Sequence, residues 1–198
     1  MIIEHRGAVP RIAATAFIAP TAVIVGDVEI GDHASVWFGA VLRAEGGSIR
    51  IGDCSAIEDN VVIHAGEGDR VMLGARVTIG HGAMLDGCTI GPGAQIGGNA
   101  VVLHGAHVGE RAVLASGSVV IAGGRIADGA FAVGTPAIGD DESKHTAADY
   151  IPHTADDNAN LANVYRREGL GDPALQATPT SYNRHKRHIV NLDPGDRV

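Results

Sequence analysis

Aromatic residues make up only 4% of the 198-residue chain. A core with so few rings must be filled by aliphatic side chains, which suits a repetitive architecture. Cysteine is scarce as well. Cys54 and Cys88 are the two thiols, too few for a disulfide framework and not spaced as a CxxC site. No apolar run approaches the roughly 20 residues that span a bilayer. The opening "MIIEHRGAVPRIA" lacks the charged segment and long apolar run of a signal peptide. The expectation is a soluble, cytoplasmic protein with reduced thiols and no membrane partner. A basic surplus is also missing: 15 Lys and Arg against 23 Asp and Glu leave a net charge of −8. Nucleic acid is therefore not the expected partner.

Glycine is abundant, at 28 residues, and the hydrophobic content of 45% is ordinary. The length fits one domain with an appendage. Aliphatic residues recur every six positions: Ile18, Ile24, Ile30, Val36, Leu42; then Ile51, Ile57, Ile63; then Leu73, Ile79, Leu85; then Ile90 onward at steps of six to Ile126. Four places after each sits a small or β-branched residue, as in Ala22, Ala34, Val61, Thr89, Ala94 and Ser118. The second place is often glycine, as in "IGDHAS" and "IGPGAQ". A period of six matches neither 3.6 nor 2. It is the hexapeptide pattern of a parallel β-helix, in which three hexads close one triangular coil. Coils stack at roughly 4.8 Å, the spacing of hydrogen-bonded strands.

Two breaks interrupt this register. Three extra residues fall between Leu42 and Ile51, and four between Ile63 and Leu73. They are expected to form loops on one face, where solenoids often bind ligands. The hexad from Leu85 to Ile90 is one residue short. After Pro136 the repeat stops, and residues 139–158 read as polar and irregular. "DDNANLANVYRREG" then predicts a helix with Leu161, Val164 and Tyr165 at helical spacing and Gly169 as its stop. The expected organisation is a β-helix domain over 1–138, a loop and helix over 139–170, and a tail over 171–198. The tail's "RHKRH" run reads as a solvated segment, with a local anion contact as the alternative.

Every third hexad shares a face. The residues following Leu42, Ile63, Leu85 and Val102 form one column: Arg43, His64, Asp86, Leu103. A second column holds Phe38, Asp59, His81 and Gly98. His81 and Asp86 thus stand on different faces of one chain. If three prisms pack about a parallel axis, one column meets the other at each interface. Two histidines and a carboxylate form a set for zinc or another divalent metal. The competing reading is that these are solvated surface histidines.

The stretches "GDVEIGDHASVWFGAVLRAE", "IGDCSAIEDNVVIHAG", "VTIGHGAMLDGCTIG" and "AVGTPA" resemble the γ-class carbonic anhydrase family of hexapeptide-repeat proteins. The resemblance covers roughly residues 10–137. It implies a left-handed β-helix, all-β with a C-terminal α-helix, assembled as a homotrimer with a metal at each subunit interface. The implied ligand positions are His64, His81 and the one held by Asp86, where the family has a third histidine. Arg43 and Asp59 match the family's arginine–aspartate pair. Glu45 replaces an aspartate, Glu58 replaces a glutamine, and Glu67 stands where an acidic residue moves protons. His104, one coil above Asp86, is an alternative ligand or a surface histidine.

The implied cofactor is Zn2+, with Fe2+ or Co2+ as alternatives, and the implied reaction is reversible hydration of CO2 by metal-bound hydroxide. An aspartate ligand adds a negative charge that weakens the Lewis acid, yet two-His-one-carboxylate zinc sites do catalyse hydrolysis. Two other readings stay open: a thioesterase or acyltransferase acting on acyl-CoA, and an inactive homologue serving in binding or assembly.

Overall fold

The computed structural model describes residues 1–140 and 155–171. Among them, twenty-two short strands lie in three sheets, and successive strands pass from sheet to sheet so that each coil contributes one strand to each. The first sheet carries β1 (Ile2–Ile3), β4 (Val23–Val25), β7 (Val41–Ala44), β10 (Val62–Ala65), β13 (Met84–Asp86), β16 (Val101–Val102) and β19 (Val119–Val120) in that order. The second runs from β2 (Arg11–Ile12) to β20 (Arg125–Ile126). The third begins with β3 (Phe17–Ile18), β6 (Ser35–Val36), β9 (Ala56–Ile57) and β12 (Thr78–Ile79). It ends in an antiparallel hairpin of β21 (Phe131–Gly134) and β22 (Ala137–Asp140). All other pairings between these strands are parallel and join equivalent places of the repeat, such as Ile57 with Ile79 and Ile79 with Ile96. This is the expected parallel β-helix.

The leading aliphatics of every hexad are buried, and nearly all the small residues four places on are buried with them in one continuous core. The short hexad is the exception. Cys88 there takes the inward place at 1% exposure, while Thr89 is half-exposed. Removing one residue shifts the alternation by one, so the thiol replaces the threonine in the core. The second-place glycines have a steric cause. A Cβ on Gly74 would lie 2.6 Å from the backbone nitrogen of Pro92, and one on Gly91 would lie 2.5 Å from that of Glu110. Only a residue without Cβ lets adjacent coils approach this closely at the corner.

The coils begin ahead of the first regular hexad, where Ile2 and Ile3 pair with Ile24 and Val25, and Ile12 pairs with Ile30. The two insertions form loops on one face, as expected, at residues 45–47 and 66–69. They lengthen β7, β8 (Ser48–Ile51), β10 and β11 (Arg70–Leu73) to four residues each, and the two enlarged corners stack, with Ser48 N donating to Asp69 O at 3.0 Å. The parallel coils end with β21, in keeping with a repeat that stops at Pro136, and β22 folds back on β21 as an antiparallel strand. The segment expected to be irregular over 139–158 is described only at its ends, and residues 172–198, including "RHKRH", lie outside the described residues.

Helix α1 (Ala155–Arg167) contacts β3, β6 and β9 of the third sheet. Asp156 and Asp157 occupy its first turn and Arg166 and Arg167 its last, which complements the helix dipole. Its buried residues are Ala155, Asn158 and Ala162. Tyr165 packs among Phe17, Trp37 and Phe38, with ring centroids 5.6 Å from Trp37 and 5.8 Å from Phe38. Of the three apolar residues at helical spacing, Tyr165 thus packs inward, and Leu161 and Val164 are exposed. Small residues on the inner face bring the helix close enough for the aromatic cluster to seal the contact.

Candidate functional site

Strand register sets the first group of side chains. His64 pairs with Arg43 on one side and Asp86 on the other, so the three project from one face of the first sheet. His64 Nδ1 lies 2.9 Å from Asp86 Oδ1, a hydrogen-bond length. On its other edge, His64 Nε2 is 3.4 Å from Glu45 Oε2. Glu45 leaves β7 at the enlarged corner and forms an ion pair with Arg43 through its other oxygen. That hydrogen bond and the guanidinium charge, with a smaller contribution from His64, hold the Glu45 carboxyl below the usual carboxylate range against some desolvation.

The second group stands on the third sheet. Glu58, at 6% exposure, follows the last residue of β9. Its Oε2 accepts a hydrogen bond from the His81 backbone N–H at 3.1 Å and lies 3.2 Å from His81 Nε2. His81 Nδ1 is 3.2 Å from Asp59 Oδ2, and Asp59 Oδ1 accepts from Phe38 N at 2.9 Å. Asn158 of α1 donates to Glu58 Oε1 at 3.1 Å. Trp37, Glu58, Asp59, His81, Asn158 and Leu161 line a cavity of about 170 Å³ beside the imidazole.

Each histidine is thus held between two carboxylates, but the two histidines belong to different faces. Arg43 has Glu45 as its ion partner in this chain, and Asp59 faces His81. Glu67 extends from the second enlarged corner at 84% side-chain exposure, 3.7 Å from Arg6. His104 Nδ1 lies 3.5 Å from Asp69 Oδ1. Asn158 escaped the sequence reading. The signal for it was a polar residue spaced three and four positions from Ala155 and Ala162 on the small-residue face of the helix.

Residues 87–122 match the family described as bacterial transferase hexapeptide (six repeats). The chain is 34% identical over 165 residues to "Gamma carbonic anhydrase 2, mitochondrial" of Arabidopsis thaliana, covering 80% of this chain and 59% of that protein. It is 36% identical over 103 residues to "Carbonic anhydrase" of Geobacillus kaustophilus, covering 52% and 57%. A crystal structure of a hexapeptide transferase family protein from Anaplasma phagocytophilum is 34% identical, with a TM-score of 0.74 over 86% of this chain and 98% of that one. The chain belongs to the γ-class carbonic anhydrase-like family of hexapeptide-repeat proteins. It spans just under 60% of the length of these two curated relatives. Among the described residues no helix is long and apolar enough to cross a membrane.

The family's named activity raises the question of a metal. Imidazole nitrogens and carboxylate oxygens are donors that zinc and iron(II) accept, and His64 and His81 each stand beside two carboxylates. No group of three histidine, cysteine, aspartate or glutamate residues placed to hold a metal occurs among the described residues of one chain. The donor chemistry fits.

Proposed function

We propose that the protein is a γ-carbonic anhydrase-like metalloenzyme that hydrates CO2 reversibly at sites between the subunits of a homotrimer. The observation that carries this reading is the placement of His64 and His81 on two faces of one prism, each flanked by two carboxylates. Such faces meet when prisms pack about a common threefold axis. A second feature supports assembly. Val23, Val41, Val62, Met84, Val101 and Val119 are stacked neighbours along the outer face of the first sheet. Val62 and Met84 are exposed large apolar residues beside the His64 column. An exposed apolar stripe next to ionisable groups favours burial against another protein surface.

In this reading His64 of one copy, His81 of a second and a carboxylate hold a divalent cation. The cation supplies Lewis acidity that brings water within reach of deprotonation near neutral pH. Glu58 fixes the backbone and ring of His81. Trp37 and Leu161 wall the adjoining cavity with apolar surface, and its size suits CO2 better than an acyl-pantetheine chain. Asp59 and Asp157 also line it, and their carboxylates can accept protons or order water.

The test pairs elemental analysis of protein purified without chelators with a CO2 hydration assay. About one divalent cation per subunit, and activity lost in both His64→Ala and His81→Ala, is expected. Metal-replete trimer without CO2 hydration overturns the reading, and turnover of an acyl-CoA panel by that material would move the function to acyl transfer or thioester cleavage.

A further inference from the structure

We infer that Glu45, rather than Asp86, supplies the carboxylate ligand beside His64, and that Asp86 is a positioning residue acting on the far edge of the ring. This rests on the interface metal site proposed above and assigns its third donor.

An imidazole binds a cation through one nitrogen, while the other nitrogen carries a proton that needs an acceptor. The two nitrogens sit on opposite edges of the ring, so the carboxylate sharing a cation with His64 must lie on the cation's edge. Only two assignments exist. Either the cation takes Nε2 with Glu45 and Asp86 accepts from Nδ1–H, or the cation takes Nδ1 with Asp86 and Glu45 accepts from Nε2–H.

The distances separate them. Two donors on a tetrahedral zinc, at bond lengths of 2.0 to 2.2 Å, lie about 3.4 Å apart. The Nε2 to Glu45 Oε2 separation is 3.4 Å. The Nδ1 to Asp86 Oδ1 separation is 2.9 Å, short for two co-ligands and ordinary for a hydrogen bond. The converse assignment would ask the 3.4 Å contact to be the hydrogen bond, which is longer than such bonds run. Arg43 completes the arrangement by engaging Glu45 Oε1, which leaves Oε2 turned toward Nε2. The resulting set of two histidines and one carboxylate is that of known hydrolytic zinc sites.

The experiment loads the trimer with 113Cd after labelling its histidines with 15N. Cadmium coupled to Nε2 of His64, with the Nδ1 proton retained, is expected; coupling to Nδ1 overturns the assignment while leaving the interface metal intact. Chelator competition on Asp86→Asn and Glu45→Gln, each checked for trimer by sedimentation, gives a second readout. Asp86→Asn should weaken metal binding about 10- to 100-fold, as loss of an orienting partner does. Glu45→Gln should weaken it at least about tenfold more. An equal or larger loss in Asp86→Asn overturns the assignment. If either variant fails to assemble, the spectrum of the unmutated protein decides. A trimer that binds no cadmium sinks both this assignment and the function it rests on.

Discussion

Asn158 on helix α1 donates a hydrogen bond to the buried carboxylate of Glu58, one hundred residues earlier in the chain, at 3.1 Å. Glu58 spends its other oxygen on the backbone of His81. The C-terminal helix and the candidate catalytic face are therefore tied through one carboxylate. Asn158→Ala leaves a buried oxygen short of a donor, at a cost of about 1–3 kcal/mol. That corresponds to a fall in melting temperature of roughly 2–12 °C. Asn158→Asp, which sets a second carboxylate against Glu58, should fall further. Thermal unfolding followed by circular dichroism checks the order, and an Asn158→Ala protein that melts with the parent would show the tie to be dispensable.

The outward apolar stripe makes a prediction about assembly. Val62 and Met84 are adjacent across β10 and β13 and point away from the core. Met84→Glu changes no buried contact of the single chain, so its effect on the folded subunit should stay within about 0.5 kcal/mol. In the proposed trimer it places a charge in an apolar interface. Sedimentation velocity should show dissociation to monomer together with loss of metal binding. A Met84→Glu protein that remains trimeric would place the interface elsewhere.

The columns of the site were legible because a strict six-residue period fixes both the inward face and the vertical register. Arg43, His64 and Asp86 stack as the spacing dictates, and so do the positions preceding Asp59 and His81. What the period could not give was the partner chosen by each free side chain. Glu45 lies past the end of β7 in an enlarged corner, where no repeat constrains it, and only the folded chain brings it to Nε2 of His64. The helical spacing of Leu161, Val164 and Tyr165 did not tell which of them packs. Tyr165 meets the aromatic cluster, while close packing against a flat sheet favours alanine and asparagine and leaves Leu161 and Val164 outside. Thr89 was misassigned because a one-residue deletion inverts inward and outward places.

The same deletion sets the chemistry of Cys88. Burial pushes its thiol from 9.0 up to about 12. A raised value means that the folded state favours the protonated thiol. The stabilisation is present below pH 9, where the unfolded thiol is also protonated, and is lost as pH climbs from 9 toward 12. The slope is at most about 1.4 kcal/mol per pH unit. Parent and Cys88→Ala should therefore differ in urea stability by a gap that narrows above pH 9. A disulfide-exchange reagent at pH 8 should modify the half-buried Cys54 in the native protein and reach Cys88 only after denaturation. Rapid modification of both thiols would contradict the packing.

Glycines at two places of the repeat serve different ends, and substitution separates them. Gly91 has room only for hydrogen, since a Cβ there would sit 2.5 Å from Glu110 N and 2.9 Å from Glu110 Cα. Those are backbone atoms of the next coil and cannot rotate away, so Gly91→Ala should cost about 1–3 kcal/mol by overpacking. Gly117 has open space around it but a φ of +71°. Gly117→Ala pays about 1–2 kcal/mol for the left-handed conformation and recovers about 0.4–1 kcal/mol from the stiffer unfolded chain. Asparagine tolerates that conformation, and Asn60 and Asn99 already adopt it at the same corner, with φ of 59° and 55°. Gly117→Asn should accordingly be close to neutral, and Gly91→Asn should be at least as damaging as Gly91→Ala. Urea unfolding of the four variants orders them. If Gly91→Ala and Gly117→Ala lose the same stability and asparagine rescues neither, the close approach of coils at the corner does not explain the second-place glycine.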